Sequence, residues 1–144
     1  MTQNLKTVDD HPLEKLKDSG LMLDDIRQDI RGRKVVNQTG ETLGHVSALF
    51  IDESERKVRM LDIAGGGFLG IGDQHFLLPV DAITKVDKGG VTVRESSDRI
   101  AHSPVYNPKV IVDYDRDFWA PYYGYYGVDP YWSDGYRYPE YPTA

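Results

Sequence analysis

Between Asp29 and Ile83 short runs of Val, Leu, Ile and Phe alternate with glycine-bearing turns, and this spacing constrains the fold more than any other feature of the chain. Lys34-Val35-Val36-Asn37 leads into Gln38-Thr39-Gly40-Glu41, a turn where Gly40 can take positive φ at little steric cost. A longer strand, Leu43 to Asp52, follows, and Gly44 inside it marks a bulge or tight bend where a small sheet curls. Asp52-Glu53-Ser54-Glu55-Arg56 reads as a polar turn and Lys57 to Ala64 as the next strand. Gly65-Gly66-Gly67-Phe68-Leu69-Gly70-Ile71-Gly72 is a glycine-rich connection. Gln74 to Pro79, Thr84 to Asp87 and Val91 to Arg94 supply the remaining strands, the last two joined by the hairpin loop Lys88-Gly89-Gly90. Six short strands at this spacing predict a mainly β protein, a small curled antiparallel sheet or barrel.

One strand breaks the alternation. In Lys57 to Ala64, Val58 and Met60 alternate with Lys57 and Arg59, yet Leu61 and Ile63 continue the apolar set out of phase. A bulge near Met60 or burial of both faces reconciles them.

The flanks differ from this centre. Residues 1–20 form an N-terminal extension in which Leu13 and Leu16 sit three apart, with Asp10 as N-cap, Pro12 in the first turn and Gly20 at the exit, a short helix or turn that must pack on something to persist. Residues 21–104 carry the β pattern. Residues 105–144 form a tail that holds all ten tyrosines, both tryptophans and five of the eight prolines. The sequence predicts one helical turn or two from Asp113 to Trp119, ended by Pro121, and an irregular path beyond it.

Composition excludes several functions. The net charge is -6, and the basic residues Arg31, Arg33, Lys34, Arg56, Lys57 and Arg59 are interleaved with acids, so direct nucleic-acid binding is not expected. No run approaches the roughly 18 to 20 apolar residues of a membrane span. The first residues, Met1 to Thr7, have no apolar core of a secretory signal, and the expected location is the cytoplasm. There is no cysteine, hence no disulfide and no thiolate metal site.

The order Asp29-Ile30-Arg31-Gly32-Arg33, Gly40-Glu41-Thr42-Leu43-Gly44, the Gly65 to Gly72 loop and Leu77-Leu78-Pro79-Val80-Asp81-Ala82-Ile83 resembles the PRC-barrel family. That family includes the cytoplasmic domain of the photosynthetic reaction centre H subunit, the C-terminal domain of the ribosome maturation factor RimM and many free-standing bacterial proteins. The resemblance implies the same small barrel, with Ile100 to Pro108 as its exit segment. It implies a non-catalytic interaction or assembly module, with a role in stress among the options for free-standing members. Its alternatives are a soluble accessory of an electron-transfer complex, like the H subunit, and a RimM-like factor in RNA processing or ribosome assembly.

Candidate sites were weighed against plainer roles. Gly65, Gly67 and Gly70 fit G-x-G-x-x-G, but a dinucleotide site needs a helix directly after the glycines, and here a strand pattern follows, so no nucleotide cofactor is expected. Gly40, Gly44, Gly65, Gly66, Gly67, Gly70 and Gly72 read as structural. His11, His45, His75 and His102 lack ligand spacing, and no metal is expected, although His45 and His75 fall on strands that can neighbour each other. Ser47, Ser54, Asp52, Asp62 and Asp81 form no catalytic constellation, and no enzyme activity is expected. Asp81 reads as a local cap, and Asp62, a carboxylate in an apolar strand, as outward-facing or paired with Arg59. The candidate partner surface, for a protein or a second copy of the chain, is aromatic and apolar. It comprises Phe68, Leu69 and Ile71 in the glycine loop, and Phe118, Trp119, Tyr122, Tyr123, Tyr125, Tyr126, Tyr131 and Trp132 in the tail. The competing reading of the tail is that its rings pack on their own barrel.

Overall fold

The structure, a computed structural model, describes residues 13–65, 74–110 and 113–141. Seven strands are described: β1 (Leu13–Lys15), β2 (Lys34–Val36), β3 (Thr42–Asp52), β4 (Val58–Ala64), β5 (His75–Pro79), β6 (Ile83–Asp87) and β7 (Gly90–Val93). They make one sheet in the order β5-β4-β3-β2-β7-β6, with β1 pairing the end of β3 beside β2. All pairs are antiparallel except β2 with β7, which brings the C-terminal hairpin back alongside the first barrel strand. The sheet is curled and not closed by hydrogen bonds among the described residues.

The curl has local causes. The register slips opposite Leu43, Ser47, Arg59 and Thr84, one extra residue each time, and every such bulge bends its strand and adds twist. Gly44 lies at the first of them with φ +151°, where a Cβ would come within 2.3 Å of the Ala64 carbonyl oxygen, so only glycine allows β3 to pass so close to the end of β4. Gly90 does the same against the carbonyl of Lys34 at 2.4 Å. Gly40 also has positive φ, +88°, but open space around it. Asp52 organises the β3–β4 turn: its carboxylate accepts from the backbone N–H of Glu55 at 2.5 Å and of Lys57 at 3.2 Å.

The concave face of the sheet encloses the first core, built from Leu43, Val46, Leu49, Ile51, Val58, Leu61, Ile63, Leu78, Val91 and Val93 with Ile30 and Ile100. Met60 belongs elsewhere. It lies with Phe50 and Leu77 on the convex face, in a second core completed by Tyr106, Trp119, Tyr122 and Tyr123. Both explanations of the broken alternation in β4 therefore hold: a bulge at Arg59, and burial of both faces.

Two expectations about the flanks change. Leu13 to Lys15, read as part of a helix, instead adds a three-residue strand to β3, and only Leu16–Ser19 (α1) is helical, ending at Gly20 with φ +73°. The proposed cap at Asp10 lies outside the described residues. In the tail, helix α3 (Arg116–Tyr126) follows the short α2 (Ser97–Ala101) and runs through Pro121 instead of ending there. Asp115 caps it by accepting from the Phe118 N–H at 3.1 Å, and Gly127 closes it in the left-handed conformation. Pro121 removes the N–H that would bond the Asp117 carbonyl, yet both residues lie on the exposed side of the helix, where a lost bond costs least. The opposite face carries Trp119, Tyr122, Tyr123 and Tyr126, the spacing of an amphipathic helix, and it is this face that lies on the sheet.

Candidate functional site

The convex face of β3, β4 and β5 and the tail that covers it hold the polar groups with the most unusual surroundings. Arg59, on the bulge of β4, is 2% exposed. Its Nε donates to Asp52 at 2.8 Å and its Nη2 to Glu55 at 2.6 Å. Three tail rings close around the guanidinium, Tyr131 at 4.6 Å, Tyr138 at 5.4 Å and Tyr136 at 5.9 Å from its centre. Burial alone would lower the Arg59 pKa; Asp52 and Glu55 outweigh it and raise the value, so the cation is firmly held. A buried charge needs partners, and here three of the five come from residues some seventy positions downstream. Tyr136 extends the contact by donating to Asp81 at 2.9 Å, and Tyr138 donates to Gln28 at 3.2 Å. Burial raises the Asp81 carboxyl above its ordinary value, against the pull of the Tyr136 hydrogen bond.

The second group sits farther along the same face. Asp62, 2% exposed, lies 2.8 Å from Nδ1 of His75. Asp62 faces Leu77 and His75 faces Ala64 in the β4–β5 register, so the pair is diagonal on one face. Burial raises the Asp62 carboxyl above its ordinary value, and His75, Lys15 and His45 pull the other way. The expected partner, Arg59, is committed to Asp52 and Glu55 instead. His45 and His75 both stand opposite Ala64, on either side of β4, so they share a sheet row without being adjacent strands. Among the described residues no three His, Asp or Glu side chains converge as a metal would require.

Beside His75 the chain leaves a cleft of about 600 Å³ between the start of β5 and the segment after α2. Its lining includes Gln74, His75, Phe76, Tyr106, Asn107 and Lys109. Tyr106 forms an isolated backbone bridge with His75 and is buried; next to it Val105 is 94% exposed. The Tyr122 hydroxyl donates to the Val105 carbonyl at 3.1 Å, which fixes the backbone that presents this side chain.

The aromatic residues singled out in the sequence are mostly consumed by the fold. Trp119, Tyr122, Tyr123 and Tyr126 are buried against the sheet, and Phe118, Tyr125, Tyr131 and Trp132 are half-buried around them. Trp119 donates from its indole N–H to the Tyr114 carbonyl at 2.8 Å and packs edge-on to Phe50, centroids 4.9 Å apart. Tyr125 donates to the Arg99 carbonyl at 2.6 Å while the Arg99 guanidinium lies 4.3 Å over its ring. Arg116 stacks on Trp132 at 5.1 Å. These rings form a second layer on their own barrel, with Phe118, Tyr125, Tyr131 and Trp132 still partly exposed. Phe68, Leu69 and Ile71, with Gly66, Gly67, Gly70 and Gly72, lie outside the described residues. On either side of them, the Gly65 N–H donates to the Gln74 carbonyl at 2.9 Å, and β5 begins at His75. Sequence reasoning did not single out Arg59, His75 with Asp62 as a pair, Tyr136, Tyr138 or Lys109. The signal it had was the out-of-phase β4, which announces that something covers the convex face.

A search of curated proteins finds no match. The family model of the PRC-barrel domain matches residues 25–100, more than half of the chain, and spans the strands β2 to β7 with the bulges and glycines that curl them. By that match and this sheet, the chain belongs to the PRC-barrel domain family.

Proposed function

We propose that the protein is a non-catalytic interaction or assembly module that binds a protein partner or a second copy of itself. The observation that supports this is Val105, an apolar side chain 94% exposed on a backbone held rigid by the Tyr122 hydrogen bond and the Tyr106–His75 bridge. Fixing an apolar group in water is costly unless it meets another surface, and a rigid scaffold loses little entropy when it does. Val110, also exposed, extends the same segment. The exposed apolar groups thus lie at the start of the tail, on the segment that its rings brace.

The test compares the intact chain with Val105→Asp and Val110→Asp by light scattering and by affinity capture. Because both sites are exposed, the variants keep the parent melting temperature and lose the partner or the higher oligomer. A ribosomal protein captured by the intact chain alone assigns the module to ribosome maturation, and a membrane electron-transfer complex assigns it to the role of the H subunit. A monomer that captures nothing, or variants that capture as well as the parent, would contradict the proposal.

A further inference from the structure

We propose that the cleft beside β5 is a binding site for a small organic carboxylate with an apolar body. The protein carries a net charge of -6, yet among the described residues no Asp or Glu lines this cleft. Its chargeable lining groups are His75 and Lys109. A concave surface that carries an ammonium group and an imidazole is complementary to an anion.

The imidazole is positioned for the task. Asp62 binds Nδ1 from behind at 2.8 Å, fixing the ring and leaving Nε2 as the nitrogen open to a ligand. Asp62 itself is 2% exposed, so it holds the ring in place without meeting the ligand. Tyr106, Pro104 and Pro108 give the cleft apolar walls, and Gln74 and Asn107 add amide groups. The volume, about 600 Å³, falls within the roughly 300 to 1,000 Å³ of small-molecule sites. A carboxylate meeting His75 and Lys109, with its ring or branched chain against Tyr106, Pro104 and Pro108, uses each of these features. This site goes beyond the protein-contact reading: Lys109 separates the two, because it carries the charge of the cleft and is not part of the apolar segment.

The experiment is an amide and imidazole NMR titration of the full chain with phenylacetate, and in parallel with phenethylamine, which has the same ring and the opposite charge. Phenylacetate should shift the His75, Tyr106 and Asn107 signals saturably, and phenethylamine should not. Lys109→Glu, a change at an exposed residue that leaves the fold intact, should weaken phenylacetate by about tenfold or more. His75→Gln should weaken it similarly at an unchanged melting temperature. The proposal fails if phenylacetate gives no saturable shift, if the amine binds as well as the acid, or if Lys109→Glu leaves the affinity unchanged.

Discussion

The two faces of the central strands are built from different chemistry. The concave face is mainly aliphatic and most of its residues come from the strands, with Ile30, Ile100 and Tyr126 added from outside them. The convex face is aromatic and mixed with buried charge: Phe50, Met60 and Leu77 lie there beside Arg59 and Asp62, and the cover arrives from residues 105 to 138. Burial along β3 records the difference. Its first half, Thr42 to Ala48, is covered mainly on one side, whereas Leu49 to Asp52 is buried throughout, because the tail lies over that end. The strands of this barrel carry an apolar convex patch, and the chain closes it with its own C-terminal segment.

Alkali should attack the convex face first and hardest. Burial raises the pKa of Tyr122 and Tyr131 to about 12. It pushes Tyr106, Tyr123, Tyr126, Tyr136, Tyr138 and Tyr141 higher still. An unfolded tyrosine ionises near pH ~10, so the folded state keeps protons the unfolded chain has lost. The stability these rings contribute is complete below about pH 10 and falls as pH rises through the folded values, more steeply with each tyrosine involved. Absorbance at the phenolate band should rise in one cooperative step, together with loss of the far-ultraviolet signal. Independent ionisation of these rings at pH ~10 with the fold intact would show that the tail is not docked.

Arg59→Ala should cost about 3 to 5 kcal/mol, because it leaves the buried Asp52 carboxylate without its cation and empties the cage of Tyr131, Tyr136 and Tyr138. Denaturant melts measure this directly. Leu61→Ala on the concave face should cost a similar ~2 to 5 kcal/mol, and Arg59→Ala, unlike it, should change the near-ultraviolet signal of the tyrosines before unfolding begins.

Glycine substitutions sharpen the contrast at the barrel itself. Gly44→Ala should destabilise by about 1 to 3 kcal/mol, since its Cβ meets the Ala64 carbonyl in addition to the backbone strain. Gly40→Ala, strained but in open space, should cost less. Equal melting shifts for the two would contradict the close approach of β3 to β4.

The smallest effect should be at Asp62. Its raised pKa means that the folded state is penalised progressively as pH climbs from about 4 through the folded value. Asp62→Asn keeps an acceptor for His75 and removes the desolvated charge, so at neutral pH it should melt at or slightly above the parent temperature, by about 1 kcal/mol or less. Below pH ~4 the two proteins should converge.

The sequence made the barrel readable because each of its signals is local. Gly40, Gly44 and the Lys88-Gly89-Gly90 loop mark turns and a bulge at fixed positions, and the runs between them have strand length. Leu13-Glu14-Lys15 carries no strand propensity; it is a strand only because β3 offers it an edge. The helix through Pro121 was hidden for a similar reason, since burial of Trp119, Tyr122 and Tyr123 on the sheet outweighs the lost hydrogen bond. The Asp62–His75 pair needs the β4–β5 register, and the Arg59 cage needs contacts across some seventy residues, neither of which periodicity contains. What the sequence did hold was the twelve rings after Asp113 and the out-of-phase Met60, two halves of one convex core.

That this convex core is part of the folding unit can be measured with the protein's own reporters, because both tryptophans, Trp119 and Trp132, lie in the tail and none in the barrel. Equilibrium denaturant unfolding followed by tryptophan fluorescence reports the tail, and far-ultraviolet circular dichroism reports mainly the sheet. If the tail is the second layer of the barrel, the two transitions coincide in midpoint and slope. A fluorescence transition completed at lower denaturant, with the sheet signal unchanged, would contradict the account.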